Sequence, residues 1–190
     1  MADTISTNQF KNGMHIELEG GVWRIVDFQH VKPGKGGAFV RSKLRNVKTG
    51  AVVEKTFNAG VKVGLAIVER KSMQYLYADG GEYVFMDKDT YDQVHVPGEV
   101  MGDAPRYLAE SGEAQIAMHQ GVPIAVELPA SVALAIVQTD PGAKGDTRTG
   151  AMKPAKLETG AVVQVPLFVE EGERIKVDTR SGEYLERVKG

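Results

Sequence analysis

The chain has 190 residues, of which 42% are apolar and 25% charged, and a net charge of −2, a composition that indicates a folded globular protein and excludes a disordered one. It contains no cysteine, which excludes disulfide scaffolds, cysteine-ligated metal centres and thiol nucleophiles. No apolar run approaches the roughly 18 residues of a membrane-spanning helix, and the start lacks the apolar core of a secretory signal, so we expect a cytoplasmic protein without membrane contact.

The charge is distributed unevenly along the chain. Residues 1–65 have a net charge of +5, residues 66–129 of −7 and residues 130–190 of 0. Such asymmetry indicates that the first block contacts a polyanion while the middle block has another role. Chance variation between modules is the alternative, and charge alone does not separate the two interpretations.

The first block alternates turn signals with short β-branched runs, which predicts a small β-barrel. Strands are expected between Asn12-Gly13 and Gly20-Gly21 and then at 22–26, 39–47 and 51–57. A glycine-rich loop over 31–38 and a turn at 48–50 separate the later strands. The segment 61–70 has no strong break, so the boundary near residue 65 depends on the change in charge.

The middle block continues this pattern with one exception. Strands are expected at 72–77, 82–86 and 124–128. Asp79-Gly80-Gly81 is a hairpin signature between the first two. A short helix is expected because Asp103 can cap it, Pro105 fits its first turn and Gly112 can end it. Pro129 marks the second boundary.

The third block is again predicted to be β-structure. Strands are expected at 132–139, 161–169, 174–177 and 184–188. The loop over 140–150 is rich in hydrogen-bond donors, and it either contacts nucleic acid or only connects two strands. We therefore predict an all-β chain of three small barrel domains in series, covering residues 1–65, 66–129 and 130–190.

The stretch from Phe28 to Val53 is the most informative, because it has six Lys or Arg and no acidic residue. Alternation along a strand places Arg41, Lys43 and Arg45 on one face. These cations repel one another, and we expect no neighbouring carboxylate to relieve the repulsion. A nucleic-acid backbone would relieve it and release counterions. A solvated strand face is the alternative, and the missing counter-charge favours nucleic acid.

The glycine-rich loop presents a lysine at its tip. In Lys32-Pro33-Gly34-Lys35 we expect a type II turn, with Pro33 fixing φ and Gly34 at positive φ. Gly36 and Gly37 follow without side chains that would obstruct a close approach. The loop is not a nucleotide-binding loop, because no Ser or Thr and no helix follow it. From these residues alone, an ordinary hairpin loop with a solvated lysine fits equally well.

The sequence contains no visible catalytic or metal-binding constellation. Asp87, Asp89 and Asp92 are close together, but the glycine and closing glutamate of a calcium loop are missing, so we interpret them as an acidic hairpin turn. The four histidines lack metal-ligand spacing, and no GxSxG nucleophile motif occurs. We therefore expect no cofactor, no metal and no enzymatic activity.

Several motifs together resemble one known family. KPGKGGAFVRSKLRN at 32–46 and EKTFNAG at 54–60 look like the first domain of bacterial translation elongation factor P. The run 153–172 resembles that family's C-terminal signature, and YLY at 75–77 and FMD–TY at 85–91 resemble its middle domain. The signature matches at Lys153, Ala155, Gly160, Val163, Val165, Pro166, Val169 and Gly172. The resemblance covers essentially the whole chain.

The resemblance implies a fold and a function. The fold is an SH3-like, or KOW-like, first domain followed by two OB-fold domains, together elongated like a transfer RNA. The function is binding to the ribosome between the peptidyl-tRNA and exit sites, where the factor promotes peptide-bond formation and relieves stalls at consecutive prolines. Lys35 matches the family's tip lysine, which many members extend by a modification toward the CCA end of peptidyl-tRNA.

The resemblance also implies further contacts and partners. Gly145, Asp146 and Thr147 match a loop near messenger RNA in the exit site, and Tyr184 and Arg187 match a segment near the tRNA. The implied partners are the ribosome, peptidyl-tRNA, messenger RNA and an enzyme that modifies Lys35, and we expect a monomer. The related initiation factor five A has only two domains, so the third block disfavours that assignment.

Two alternatives of other classes remain open. A general RNA-binding or ribosome-associated protein is consistent with the basic face, but the acidic middle block disfavours it. A small β-barrel enzyme with a cation at the acidic cluster is the second alternative.

Overall fold

The structure is a computed structural model that describes residues 3–142 and 150–189. Over these ranges the chain forms sixteen strands and three very short helical segments, and the strands make three sheets. The prediction of an all-β chain is therefore confirmed. In the described part of the chain, no helix has the length and apolarity needed to cross a membrane.

The first sheet contains six strands in the order β1-β6-β2-β3-β4-β5. Their bounds are Thr4–Ser6, His15–Leu18, Gly21–Val31, Phe39–Asn46, Val52–Asn58 and Lys62–Leu65 for β1 to β6. Every strand contributes to one buried cluster, which comprises Ile5, Phe10, Ile16, Ile25, Val40, Leu44, Phe57 and Val63. A sheet whose strands all share one core has the organisation of a small barrel. Strands β1 and β6 were not among the predicted strands.

The hairpin of β3 and β4 contains one irregularity that matters for the site. Ile25 pairs with Leu44, whereas the next pair along the strands is Asp27 with Lys43. Val26 is therefore the extra residue of a β-bulge. From the pair of Val31 with Phe39 to the pair of Asp27 with Lys43 the pairing is continuous, and the bulge shifts the remainder of β3 by one residue, which places Arg24 opposite Arg45.

The second sheet has the strand order β11-β10-β7-β8-β9. The bounds are Glu69–Asp79, Glu82–Asp87, Gln93–Pro97, Glu113–His119 and Val122–Glu127 for β7 to β11. Gly80 and Gly81 connect β7 to β8 with φ values of 58° and 88°. Two positive φ values in a two-residue turn are typical of type I′, so the predicted hairpin is confirmed.

The helix predicted from Asp103 onward is wrong. The chain instead forms a four-residue helix, α1, at Gly98–Met101 and one 3-10 turn at Ala104–Arg106. Asp103 has a ψ of 0° and makes no side-chain cap, whereas an N-cap residue normally has extended backbone. Tyr107 and Leu108 are both buried, so burial of two consecutive side chains overrides the local helix signals.

The third sheet has the strand order β14-β13-β12-β15-β16. The bounds are Ser131–Thr139, Met152–Leu157, Val162–Pro166, Arg174–Asp178 and Tyr184–Arg187 for β12 to β16. Its core comprises Leu134, Ile136, Ala155, Leu157, Ala161, Val163, Val165, Val169, Ile175 and Val177, together with Tyr107. Strand β13 was not among the predicted strands, and it contains Pro154, a residue that is unusual in a central strand.

The chain divides into two compact units. The first is Met1–Arg70 with Ala117–Ala125, and the second is Lys71–Ile116 with Val126–Gly190. Within the first unit, the His119 ring contacts the Glu17 carboxylate and the Ile67 carbonyl oxygen, each at 3.0 Å. We propose domain boundaries near residues 65 and 129, because β6 ends at 65 and residue 129 lies between β11 and β12.

Candidate nucleic-acid interface

The loop 32–38 connects β3 to β4, and all six residues from Lys32 to Gly37 are exposed. A Cβ atom placed on Gly34 or Gly37 would meet no heavy atom within 4 Å, and neither glycine has positive φ. Folding therefore does not require glycine at these two positions. What the missing side chains provide is a backbone that another molecule can approach closely.

The expected type II turn is not formed. Such a turn needs positive φ at Gly34, but the positive φ, +105°, occurs at Gly36. Proline at the second turn position is compatible with type I as well as type II geometry, so Pro33 does not determine the turn. The far end of the loop is held by the Ala59 amide, which donates to the Ala38 carbonyl oxygen at 3.0 Å. Lys35 is nevertheless exposed, as expected.

The predicted alternation along β4 is confirmed. Arg41, Lys43 and Arg45 are exposed, whereas the residues between them are buried. We call the surface formed by the exposed residues of β3, β4 and β5 the outer face. The three cations belong to this face because the buried residues Val40 and Leu44 fill the core of the first sheet.

The expectation that these cations have no neighbouring carboxylate is wrong at Lys43. Lys43 pairs with Asp27 on β3 and with Glu54 on β5. Arg41, in contrast, lies between Gln29 and Thr56. Neither carboxylate is near Lys43 in sequence, and cross-strand pairing brings both beside it.

Arg24 is a candidate residue that the sequence analysis missed. It is exposed on β3 and pairs directly with Arg45, whose other neighbour is Val52 on β5. The outer face therefore has a fourth cation. Its position depends on the bulge at Val26, which simple alternation along the strand does not reveal.

The two candidates near the C-terminus are held by contacts within the second unit. Tyr184 packs against the core of the third sheet. The Arg187 guanidinium contacts the Glu173 carboxylate at 3.1 Å and lies 4.8 Å from the centre of the Phe168 ring. The pKa of Glu173 is held below its usual range, mainly by the hydrogen bond from the Glu170 amide and to a smaller extent by the hydrogen bond and positive charge of Arg187. Gly145, Asp146 and Thr147 lie outside the described residues.

Comparison with known proteins identifies the family. Three family models match consecutive ranges: the elongation factor P KOW-like domain at 6–63, the elongation factor P OB domain at 68–126 and the elongation factor P C-terminal domain at 132–187. The chain is 59% identical over 182 residues to elongation factor P of Acidothermus cellulolyticus, with coverage of 96% of this chain and 97% of the relative. The chain belongs to the elongation factor P family.

Further relatives agree with this assignment. Elongation factor P of Frankia casuarinae is 58% identical over 183 residues, which cover 96% of this chain and 98% of the relative. Among solved structures, the eukaryotic translation initiation factor 5A from Methanococcus jannaschii matches with a TM-score of 0.55 and 25% identity, over 66% of this chain and 94% of that one. As a member of the elongation factor P family, the protein is a translation elongation factor with KOW-like and OB domains.

The acidic cluster forms the turn between β8 and β9. The Asp87 carboxylate accepts hydrogen bonds from the Asp89 and Thr90 amides, at 2.9 and 3.3 Å. These bonds, with Lys71 at 3.8 Å, hold the pKa of Asp87 below its usual range. Among the described residues, no group of three His, Asp or Glu side chains converges in a way that could hold a metal ion.

The lowered pKa of Asp87 predicts a defined dependence of stability on pH. The ionised Asp87 stabilises the folded state above its unfolded pKa of about 4, and this contribution is lost as pH falls through the lower folded pKa. We expect the free energy of unfolding of Asp87→Asn to fall less steeply with decreasing pH than that of the parent. Urea unfolding between about pH 5 and pH 2 measures this. Asp89→Asn, at an exposed neighbour in the same turn, removes the same charge but keeps the Asp87 carboxylate, and an equal change of slope there would contradict the role of the Asp87 hydrogen bonds.

Proposed function

We propose that the protein binds the ribosome between the peptidyl-tRNA site and the exit site and promotes peptide-bond formation at consecutive prolines. The observation that carries this proposal is the loop 32–38. It presents one exposed lysine between glycines with open space around them. It lies at the end of a hairpin whose outer face carries arginines, in a chain of the elongation factor P family.

Lys35 is the group that we propose to contact the CCA end of peptidyl-tRNA. Its ammonium group has three hydrogen-bond donors, and the phosphate and ribose oxygens of RNA are acceptors. The open space around Gly34 and Gly37 lets the RNA approach the backbone itself. A modification that lengthens the side chain would extend this reach, so an enzyme that modifies Lys35 is a further proposed partner.

The proposed mechanism is positioning rather than bond chemistry. Proline has a fixed φ and is a poor peptidyl donor and acceptor, so its reactive atoms rarely meet in a productive arrangement. Holding reactants in a near-attack geometry can contribute up to roughly 7–11 kcal/mol in well-oriented systems. A factor that supplies part of this by ordering the tRNA end needs no acid, base or nucleophile of its own.

The remaining contacts are proposed from the resemblance. Gly145, Asp146 and Thr147 would meet messenger RNA in the exit site, and Tyr184 and Arg187 would lie near the tRNA. Arg41 and Arg45 would contact RNA phosphates from the outer face. We further propose that the protein acts as a monomer in the cytoplasm.

A general RNA-binding protein is the second candidate function. The outer face favours it, because exposed arginines contact phosphates regardless of what the loop does. The two proposals make different predictions. The effect of a general RNA-binding protein on translation would not require Lys35, and it would be the same at proline codons as at other codons.

Synthesis of a reporter in a reconstituted translation system tests the proposed function. One template carries three consecutive prolines and its matched control carries none. We expect the added protein to increase the rate of synthesis from the proline template alone. Equal effects on both templates would support the general binder, and no effect on either would contradict the proposed function.

A further inference from the structure

We propose that Arg24 and Arg45 together form a clamp for one phosphate group of an RNA backbone. The clamp rests on the proposed function, because it specifies which part of the outer face holds the RNA. It also changes the assignment made from sequence, since it includes Arg24 and excludes Lys43. The ligand is a phosphodiester of RNA, and the clamp reads its charge rather than a base.

The first argument is the pairing of the two arginines. Arg24 and Arg45 occupy directly opposite positions on antiparallel strands, and both are exposed. In the described part of the chain, neither side chain has a hydrogen bond or an ion pair to a carboxylate. Like charges directly opposite on neighbouring strands destabilise a sheet. An anion between the two guanidinium groups would turn this repulsion into two attractive contacts.

The second argument is the glycine turn that lies beside each guanidinium group. A Cβ atom on Gly13 would lie 3.9 Å from the nearest Arg24 nitrogen, and one on Gly50 would lie 3.8 Å from the nearest Arg45 nitrogen. Both glycines have positive φ, +89° and +74°, so other residues are strained there. Because glycine occupies both positions, which precede β2 and β5, neither position places a side chain in van der Waals contact with these nitrogens.

The third argument is the contrast with Lys43. Asp27 and Glu54 flank Lys43 on the two neighbouring strands, where opposite Cβ atoms are about 4.5–5.5 Å apart. Lys43 and its two cross-strand neighbours thus carry one positive and two negative charges. A phosphate that approached Lys43 would meet two carboxylates, whereas one that approached Arg45 meets a second arginine.

The chemistry and position of the clamp define what it holds. Guanidinium groups bind phosphate through two parallel hydrogen bonds, which an ammonium group does not provide. Arg45 lies six residues along β4 from Phe39, where the loop ends, which is roughly 20 Å at about 3.3 Å per residue. The clamp therefore holds a different nucleotide from the one that Lys35 reaches.

The salt dependence of binding tests the clamp. The full-length protein and its variants are titrated onto ribosomes that carry peptidyl-tRNA, over a series of salt concentrations. We expect the slope of log Kd against log salt to decrease by roughly 0.7–0.9 in the double variant Arg24→Gln, Arg45→Gln, which corresponds to the loss of one phosphate contact. Each single variant should show part of this decrease. Lys43→Gln, on the same face and strand, is the matched control and should keep the parent slope.

Thermal unfolding of the same variants separates a clamp from a structural role. Because the two arginines repel each other, Arg24→Gln and Arg45→Gln should have a Tm equal to or above that of the parent. A lower Tm together with weaker binding would show that the pair supports the fold, and would overturn the clamp.

Two further results would also overturn the clamp. One is an unchanged salt slope in the double variant, and the other is an equal decrease in Lys43→Gln. Neither result affects the proposed function if the parent still accelerates synthesis from the proline template. Conversely, a parent without that effect contradicts the proposed function, while the salt slopes still decide whether the arginine pair holds a phosphate.

Discussion

Lys35→Ala is expected to reduce the synthesis of consecutive prolines nearly to the level without the protein, while synthesis from a proline-free template is unchanged. The physical reason is the isolation of this side chain, which is exposed at the tip of a loop whose residues from 32 to 37 are all exposed. Its removal should change the free energy of unfolding by less than about 0.5 kcal/mol, as for other free surface positions. The measurement combines the two-template translation assay with urea unfolding.

Lys32→Ala is the matched control for Lys35→Ala. It removes the same charge from the same exposed loop, but at the base beside β3 rather than at the tip. We expect it to retain most of the effect on the proline template. Mass spectrometry of protein from its native host shows whether Lys35 carries added mass, and the variant is compared with both modified and unmodified parent. If Lys35→Ala relieves proline stalls as well as both the modified and the unmodified parent protein do, Lys35 does not contact the CCA end.

The loop and the outer face show what alternation and turn residues can predict. Alternation over 40–45 correctly separates exposed from buried positions, because the period of a strand is two regardless of what pairs with it. The position of Lys35 at the tip was also predictable, because glycines and a proline surround it. The carboxylates beside Lys43 and the arginine beside Arg45 were not predicted, because they lie on the neighbouring strands β3 and β5. The pairing of Arg24 with Arg45 depends in addition on the bulge at Val26.

The segment 103–112 shows where local signals fail. Asp103, Pro105 and Gly112 are typical of a short helix, and the prediction considered only these signals. Tertiary packing determines the conformation of this segment instead, because Tyr107 inserts into the core of the third sheet. In a regular helix, the helical spacing would determine where the Tyr107 side chain lies. The residues that hold this segment lie far away in the sequence. For example, the Thr159 hydroxyl donates a hydrogen bond to the carbonyl oxygen of Arg106, which precedes Tyr107. No pattern within ten residues of Tyr107 indicates such a partner.

Tyr107→Ala is therefore expected to be strongly destabilising. The ring is 6% exposed and belongs to the core of the third sheet, and truncation of a buried aromatic side chain to alanine costs about 3–5 kcal/mol. With a slope of about 2 kcal/mol per molar, this lowers the urea midpoint by roughly 1.5–2.5 M. Far-UV circular dichroism measures the change across the whole chain. Fluorescence of Trp23, the one tryptophan, reports on the first unit and should change less.

Tyr107→Phe distinguishes the ring from its hydroxyl group. Gly182, at a φ of +75°, lies so close that a Cβ atom there would be 2.5 Å from the Tyr107 hydroxyl. Because phenylalanine keeps the ring and removes only the hydroxyl oxygen beside Gly182, Tyr107→Phe should stay within about 1 kcal/mol of the parent. A loss in Tyr107→Phe as large as in Tyr107→Ala would mean that the hydroxyl, not the ring, holds the segment. A small loss in both would mean that Tyr107 fills no space in the core, and that burial did not displace the predicted helix.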